Sequence, residues 1–406
     1  MPFRISLSGL DATSSALDVV ANNIANSNTT GFKTSRVDFA DVYATGSLNL
    51  SSLQSGEGVT IAGINQQFTQ GNIAQTGNNL DLAISGQGFF TLHDASGYYY
   101  TRNGTFSVDR TGYVVNSQSQ RLQVYPALPN GQFNTGALQH LQLNTSQSAP
   151  QATAAVAANV NLPANATAPV DSPFNPTDPL SYTNTTSTAV YDSLGYQHTA
   201  SYYFIAGAVK NTWTVALTID GTQVGGVQPL TFDSSGAITA PAGSTFTFPA
   251  YTPTTGAAAM NTTANFSGTT QYGNQFSVNT VTQDGYSTGQ LTTISVDNTG
   301  QVSAKYTNGR SLLLGQLAIS NFPNPQGLAP LGNSNWAETF ASGSVIRGTA
   351  GSSNIGLVQS GALETSNVDL TKELVDMITA QRAFQANAQM IQTLNQITQT
   401  VIGIRQ

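Results

Sequence analysis

Apolar residues repeat at helical spacing at the two extreme ends of this chain, and the pattern gives way to short β-like runs in between. Near the start they fall at Phe3, Leu7, Leu10, Leu17, Val20 and Ile24, with Phe3, Leu10, Leu17 and Ile24 spaced by sevens, which draws one stripe along a helix. The pattern stops at Asn26-Ser27-Asn28-Thr29-Thr30-Gly31, where Asn, Ser and Gly favour a helix end and a turn. Toward the C-terminus Leu363, Leu370, Met377, Phe384 and Ile391 repeat by sevens, and Leu374, Ile378, Ala388, Leu394, Val401 and Ile404 fill the same face. Ser366-Asn367-Val368-Asp369 reads as a capping box, and Arg405 sits where a cation favours the helix dipole. The spacing predicts a helix over residues 367–404, a rod of about 57 Å at 1.5 Å per residue. Long apolar stripes are not satisfied in water, so the two helices must pair with each other and then with neighbouring copies. Repeated contacts that do not close a ring generate a helical filament. Termini that order only on assembly leave the monomer soluble.

The middle reads as all-β. Five turns share one pattern: Asp94-Ala95-Ser96-Gly97, Asp109-Arg110-Thr111-Gly112, Asp192-Ser193-Leu194-Gly195, Asp233-Ser234-Ser235-Gly236 and Asp297-Asn298-Thr299-Gly300. Asp first and Gly fourth suit a type I turn closing a hairpin. Ser201-Tyr202-Tyr203-Phe204-Ile205 and Trp213-Thr214-Val215-Ala216-Leu217-Thr218 are expected strands. Residues 122–170 contain no Asp, Glu, Lys or Arg, and residues 149–179 are rich in Ala, Asn and Pro, which marks a domain boundary. A second break falls at residues 283–289. The expected plan is nested: a terminal helical domain (1–28 and 366–406), a connecting region (29–71 and 357–365), an inner β domain (72–147 and 284–356) and an inserted outer β domain (148–283).

Only 8% of the 406 residues are charged, against about 25% in an ordinary globular chain. Ser, Thr, Asn and Gln, about 39% of the chain, keep the surface wet instead. With a net charge of −7 and no Lys/Arg cluster, nucleic acid and an electrostatic membrane anchor are excluded as partners. No apolar run is long enough for membrane insertion. The start, Met1-Pro2-Phe3-Arg4, reads without a basic n-region or small-residue cleavage site. There is no cysteine, which removes disulfides, thiolate metal sites and cysteine nucleophiles. A cysteine-free, charge-poor chain suits export by a route that needs no cleaved signal.

Gly285-Tyr286-Ser287-Thr288-Gly289 matches the nucleophile elbow of serine hydrolases, but the residues that follow alternate as a strand rather than opening a helix. His93, His140 and His198 lack a triad context. The Asp-x-x-Gly turns lack the further acidic ligands of a calcium loop. Gly86-Gln87-Gly88 carries no dinucleotide signal. No enzyme and no cofactor is expected.

Ser8-Gly9-Leu10-Asp11-Ala12 and Ala21-Asn22-Asn23-Ile24-Ala25-Asn26-Ser27-Asn28-Thr29-Thr30-Gly31-Phe32-Lys33 resemble the N-terminal signature of bacterial flagellar rod and hook axial proteins, with Asn22, Asn23, Asn26, Gly31, Phe32 and Lys33 as motif positions. Residues 366–378 and Gln381-Arg382-Ala383-Phe384-Gln385-Ala386-Asn387 resemble the C-terminal signature of the same family. Residues 80–90 and Tyr100-Thr101-Arg102-Asn103-Gly104-Thr105-Phe106-Ser107 resemble its shared β segment. The length, and Gln283-Asp284-Gly285-Tyr286 returning from an extra β domain, favour the hook members over the rod subunits. Residues 44–58 form a Ser-, Leu- and Gly-rich stretch longer than that pattern usually has.

The resemblance implies a self-assembling subunit of the curved tube between rod and filament, with terminal helices as its inner layer and β domains outside. It implies torque transmission through a flexible universal joint and type III export without cleavage. Its partners would be other copies, the rod, the hook cap, the hook–filament junction proteins and the export apparatus. The assembly interface is then expected at Phe3, Leu7, Leu10, Leu17, Val20 and Ile24 on the first helix, and at Leu370, Leu374, Met377, Phe384, Ile391 and Leu394 on the second. A distal rod subunit and, from a different class, a secreted β-rich adhesin are the alternative readings.

Overall fold

The computed structural model describes residues 2–42, 56–143 and 147–403. Most of the 44–58 stretch, together with Ile404 and Arg405, lies outside the described residues. Helices occupy the ends, α1 (Pro2–Ala25) and α2 (Leu370–Gly403), and strands fill the middle, the mainly β class expected from the sequence.

The start of α2 differs from the capping-box reading. Asp369 is the N-cap: its Oδ1 accepts from Thr371 N at 3.0 Å and Lys372 N at 3.2 Å. Ser366 Oγ serves the preceding turn instead, accepting from Val368 N at 3.3 Å. The cause is Asn367, whose side chain is committed elsewhere. Its Oδ1 accepts from Thr34 N at 2.8 Å and its Nδ2 donates to Gln67 O at 2.8 Å, which holds the chain out of the helix. Leu363, the first member of the expected heptad, lies in the strand Ala362–Glu364.

The chain divides into two compact units, Met1–Asn144 with Thr293–Lys305 and Ser311–Gln406, and Thr145–Thr292 with Tyr306–Arg310. In the first, one sheet path runs Ser311–Leu317, Arg121–Pro126, Phe89–Asp94, Gly97–Thr101, Asn335–Ala337, Ala329–Gly332. Its core gathers Leu82, Ile84, Phe90, Leu92, Leu122, Val124 and Ile319. A satellite cluster packs Phe89, Tyr100, Phe322 and Trp336 in edge-to-face pairs. The hairpin of β1 (Ser35–Asp41) and β2 (Val59–Gln66) joins this body to α1. The returning strand Leu357–Ser360 pairs with Leu82–Ser85, and Ala362–Glu364 with Ile73–Gln75.

The second unit is a sandwich. Gln197–Ala206 sends His198, Ala200, Tyr202, Phe204 and Ala206 inward at the strand period of two, where they meet Val156, Val160 and Leu162 of Ala155–Pro163 in the facing sheet. Four of the Asp-x-x-Gly sites form the expected turns, with Gly N donating to Asp O at 3.0–3.1 Å at Gly112, Gly195, Gly236 and Gly300. In each the Asp Oδ1 accepts from N–H groups two and four residues on, so that oxygen is used by the turn itself. Ser287 lies between the bridges Tyr286–Gln151 and Gly289–Ser148 rather than on a strand-to-helix turn, and its hydroxyl donates to Thr288 O.

His198 stands between two carboxylates. Its Nδ1 is 2.6 Å from Asp220 Oδ2 and its Nε2 3.2 Å from Asp192 Oδ2, which also accepts from Thr255 Oγ1 at 2.7 Å. A neutral imidazole has one N–H and satisfies one of them; the imidazolium satisfies both. Burial opposes the charge, but Asp220 and Asp192 outweigh it and raise the His198 pKa above the usual 6.5. Burial likewise works against ionising Asp192 and Asp220, yet Thr255, His198 and backbone N–H groups hold Asp192, and His198 and Thr199 N–H hold Asp220, below the usual carboxylate value. A raised folded-state pKa means the contribution is fully present below the unfolded value and is lost as pH rises through the folded one. The urea midpoint of the second unit, followed by Trp213 in a Trp336→Phe background, should therefore fall as pH rises from below the usual imidazole value of about 6.5 through the raised one. His198→Gln should flatten that dependence.

Candidate assembly interface

Two contacts fix how the terminal helices lie. A Cβ on Gly9 would sit 2.9 Å from Asn387 Nδ2, and Asn23 Nδ2 donates to Glu373 Oε2 at 3.2 Å. Moving from 9 to 23 on α1 moves from 387 to 373 on α2, so the helices are antiparallel in a fixed register in which paired residue numbers sum to 396. A side chain at Gly9 would displace the Asn387 amide. Carried to its end, this register sets Pro2 opposite Leu394. Residues 395–403 then extend beyond the start of α1, an overhang of about 13 Å at 1.5 Å per residue. From 395 to 400 every side chain is exposed, as is Ile402.

The expected interface residues divide into two sets. Leu10, Leu17, Val20 and Ile24 of α1 and Met377, Phe384, Ile391 and Leu394 of α2 are half-buried. Phe3 and Leu7 are exposed, and so are Leu370, Leu374 and Ile378, one turn apart on α2. They do not share one face with Met377 and Phe384 as the heptad reading had them. In the register above Leu370 falls opposite residue 26, past the end of α1 at Ala25, whereas Met377, Phe384 and Ile391 fall opposite residues 19, 12 and 5. The overhang adds Ile397 and Ile402, 54% and 61% exposed. Unpartnered apolar area on a rigid helical rod is the chemistry of a protein contact.

The motif positions at the end of α1 hold this pair to the β body. Asn26 Nδ2 donates to Asn22 O at 2.9 Å and closes the helix. Buried Asn23 reads the backbone of β1 at both groups of Ser35, N to Oδ1 at 2.9 Å and Nδ2 to O at 2.8 Å, while reaching Glu373. Phe32 lies in a cleft with Gln66, Pro330 and Trp336. Gly31 has φ +69°, and a Cβ there would come 2.5 Å from Asn103 N, so glycine is required.

Lys33 leads to a site that sequence reading missed. Its Nζ lies 2.6 Å from Glu364 Oε1, whose partner oxygen Oε2 takes Arg102 Nη1 at 3.1 Å. Gly71 N also donates to Oε1 at 2.9 Å, Lys33 Nζ to Thr69 O at 2.7 Å, and Arg102 Nη2 to Gly86 O at 2.8 Å. All three side chains are buried, and burial pulls both cations below their usual pKa while Glu364 opposes it. One carboxylate thus ties together the N-terminal motif, the connecting region, the β body and the chain's return to α2. The available signal was Arg102 and Glu364 standing beside apolar strand residues in a chain with few charges.

Comparison with known proteins matches four segments of the chain to flagellar profiles. The profile described as "Flagella basal body rod protein" matches residues 3–33, and "Flagellar basal body rod FlgEFG protein C-terminal" matches 359–404. "Flagellar hook protein FlgE/F/G D1 domain" matches 83–169, and "Flagellar basal body protein FlaE D2 domain" matches 161–286. Flagellar hook protein FlgE of Salmonella typhimurium is 39% identical, with 100% of each chain covered, and that of Escherichia coli K12 is 38% identical over 100% of each. FlgE of Borreliella burgdorferi is 32% identical over 98% of each chain. The crystal structure of Helicobacter pylori FlgE2 shares the fold, with a TM-score of 0.54 over 72% of this chain and 100% of that one, at 14% identity. From terminal motif to terminal motif, the chain belongs to the flagellar hook protein FlgE family.

Proposed function

We propose that this chain, a hook structural subunit by family, polymerises through its paired terminal helices into a curved tube that carries torque from rod to filament while bending. The observation that carries this reading is the antiparallel α1–α2 pair with exposed apolar side chains and a nine-residue overhang reaching past its partner helix. Helical contacts repeated along a tube transmit twist. The charge-poor β surface supports bending, because neutral polar contacts exchange one hydrogen-bond partner for another at small net cost, whereas paired charges resist separation. Export through the flagellar type III apparatus, and contacts with rod, cap and junction proteins, belong to the same proposal. So does the fourfold domain plan, with residues 1–28 and 366–406 lining the tube and residues 148–283 outermost.

In this reading the second unit tunes the tube rather than forming it. Its two connecting segments run side by side, with Ser148 N donating to Gly289 O at 2.8 Å and Gln151 paired with Tyr286, so a short Gly-Ser linker can replace residues 149–288. The shortened chain should still form tubes by electron microscopy, with altered curvature. Complete loss of polymer would overturn that assignment.

A further inference from the structure

Between residues 145 and 292 the chain carries six aspartates, no glutamate, no arginine and a single lysine, Lys210. Lys210 lies in the turn between the strands Gln197–Ala206 and Thr212–Ile219, and among the described residues it has no carboxylate within ion-pair distance. The turn is fixed by its own hydrogen bonds: Gly207 N donates to Thr212 O at 2.8 Å, and Thr212 Oγ1 donates to Val209 O at 2.6 Å. Lys210 lines a cavity of about 530 Å³, within the roughly 300–1,000 Å³ of small-molecule sites. Residues 164–168 supply more of the lining and are also tied down, with Ala164 N donating to Tyr272 O at 2.9 Å and Ala166 N to Pro163 O at 3.1 Å. Walls that are already ordered lose little freedom when a ligand enters.

The polar lining is Asn165, Thr167, Lys210, Asn211, Thr212 and Gln271; the rest is alanine with Gly207, Val209 and Trp213, and no Asp or Glu is among the lining residues. Gln271, on the strand Thr270–Tyr272, is 7% exposed, and its Oε1 is buried with no hydrogen-bond partner among the described residues. A buried polar atom left unpaired carries a desolvation cost that a ligand group can relieve. The last torsion of a glutamine is broad, so the amide can turn into the cavity to meet one. The chemistry of the walls selects the ligand. Amides pair a donor with an acceptor, as neighbouring hydroxyls do, and one ammonium matches one carboxylate. An ammonium ligand would find no carboxylate here, and inorganic phosphate has no apolar surface to set against alanine and Trp213. A sugar ring bearing a carboxylate has all three: hydroxyls, one negative charge and a C–H face.

We propose that this cavity of the second unit binds a hexuronic acid, free or within an acidic polysaccharide, with its carboxylate on Lys210 and its hydroxyls on the amides of Gln271, Asn165 and Asn211. The site lies within one chain and stands or falls separately from the polymer reading. Isothermal titration calorimetry of the full-length protein with glucuronate should show saturable binding to one site, with glucose weaker. Trp213 emission, read in a Trp336→Phe background, should change over the same concentrations because Trp213 lines the cavity. Lys210→Gln should weaken glucuronate about fivefold and leave glucose unchanged. Gln271→Leu should weaken both about tenfold, while the urea midpoint of the second unit holds or rises because an unpaired buried amide is gone. No saturable binding of glucuronate at millimolar concentration overturns the proposal. So does inorganic phosphate binding as tightly as glucuronate, which would mark an adventitious anion site, or glucuronate binding that Gln271→Leu leaves unchanged. Glucuronate affinity that Lys210→Gln does not alter overturns the placement of the carboxylate.

Discussion

Glu364→Gln should unfold the first unit and leave the second standing. The substitution keeps the shape but removes the only carboxylate within ion-pair distance of buried Lys33 and Arg102, among the described residues. Breaking a buried ion pair from one side costs about 3–5 kcal/mol, because the remaining charge stays desolvated. Here two cations are stranded, and a loss of that size is a large part of the roughly 5–15 kcal/mol that holds a domain folded. The two tryptophans separate the outcomes. Trp336 sits in the aromatic cluster of the first unit and Trp213 in the core of the second. With Trp213→Phe as background, the Trp336 transition in urea should collapse; with Trp336→Phe as background, the Trp213 transition should not move. Adding Lys33→Met to Glu364→Gln should recover part of the loss, since one stranded charge is gone. A loss below about 1 kcal/mol in the Trp336 transition would mean that the network does not hold the unit together.

Ile397→Asp and Ile402→Asp should each weaken polymerisation while leaving a folded monomer. Both residues are exposed on the α2 overhang, beyond the reach of α1 in its observed register, so the monomer loses no described packing. Fully burying an isoleucine is worth about 1.5–3 kcal/mol, so each substitution should raise the critical concentration by about tenfold to a hundredfold. Leu17→Asp and Phe384→Asp should also prevent assembly, but their side chains are half-buried and their loss would weaken the helix pair as well. Circular dichroism and the Trp336 transition would show the monomer intact in the overhang variants. Polymer formed by Ile397→Asp at the unmodified chain's concentration would remove the overhang from the interface.

What was legible in the sequence followed from local physics. The Asp-x-x-Gly turns were readable because the Asp oxygen, the turn and the positive φ of glycine all lie within five residues, as at Asp109–Gly112. The strands around Tyr202 and Trp213 were readable as short β-like runs separated by Gly and Asn, and the terminal helices from their stripes. Three features were not. The helix start moved from Ser366 to Asp369 because Asn367 is taken by Thr34 and Gln67, some 300 residues away in sequence. The Lys33–Glu364–Arg102 clasp joins residues 331 and 262 positions apart, and no periodicity encodes it. The single face drawn through Leu370, Met377 and Phe384 divides because Leu370 lies past the end of α1 at Ala25 in the observed register.

The paired terminal helices, with their exposed stripes and overhang, should build a tube from copies of this one chain, and negative-stain electron microscopy of the purified full-length protein at increasing concentration would show it. Short curved tubes of constant diameter are the expected result. A protein that stays monomeric at every concentration would contradict the claim, and straight rods would favour a rod subunit over the hook.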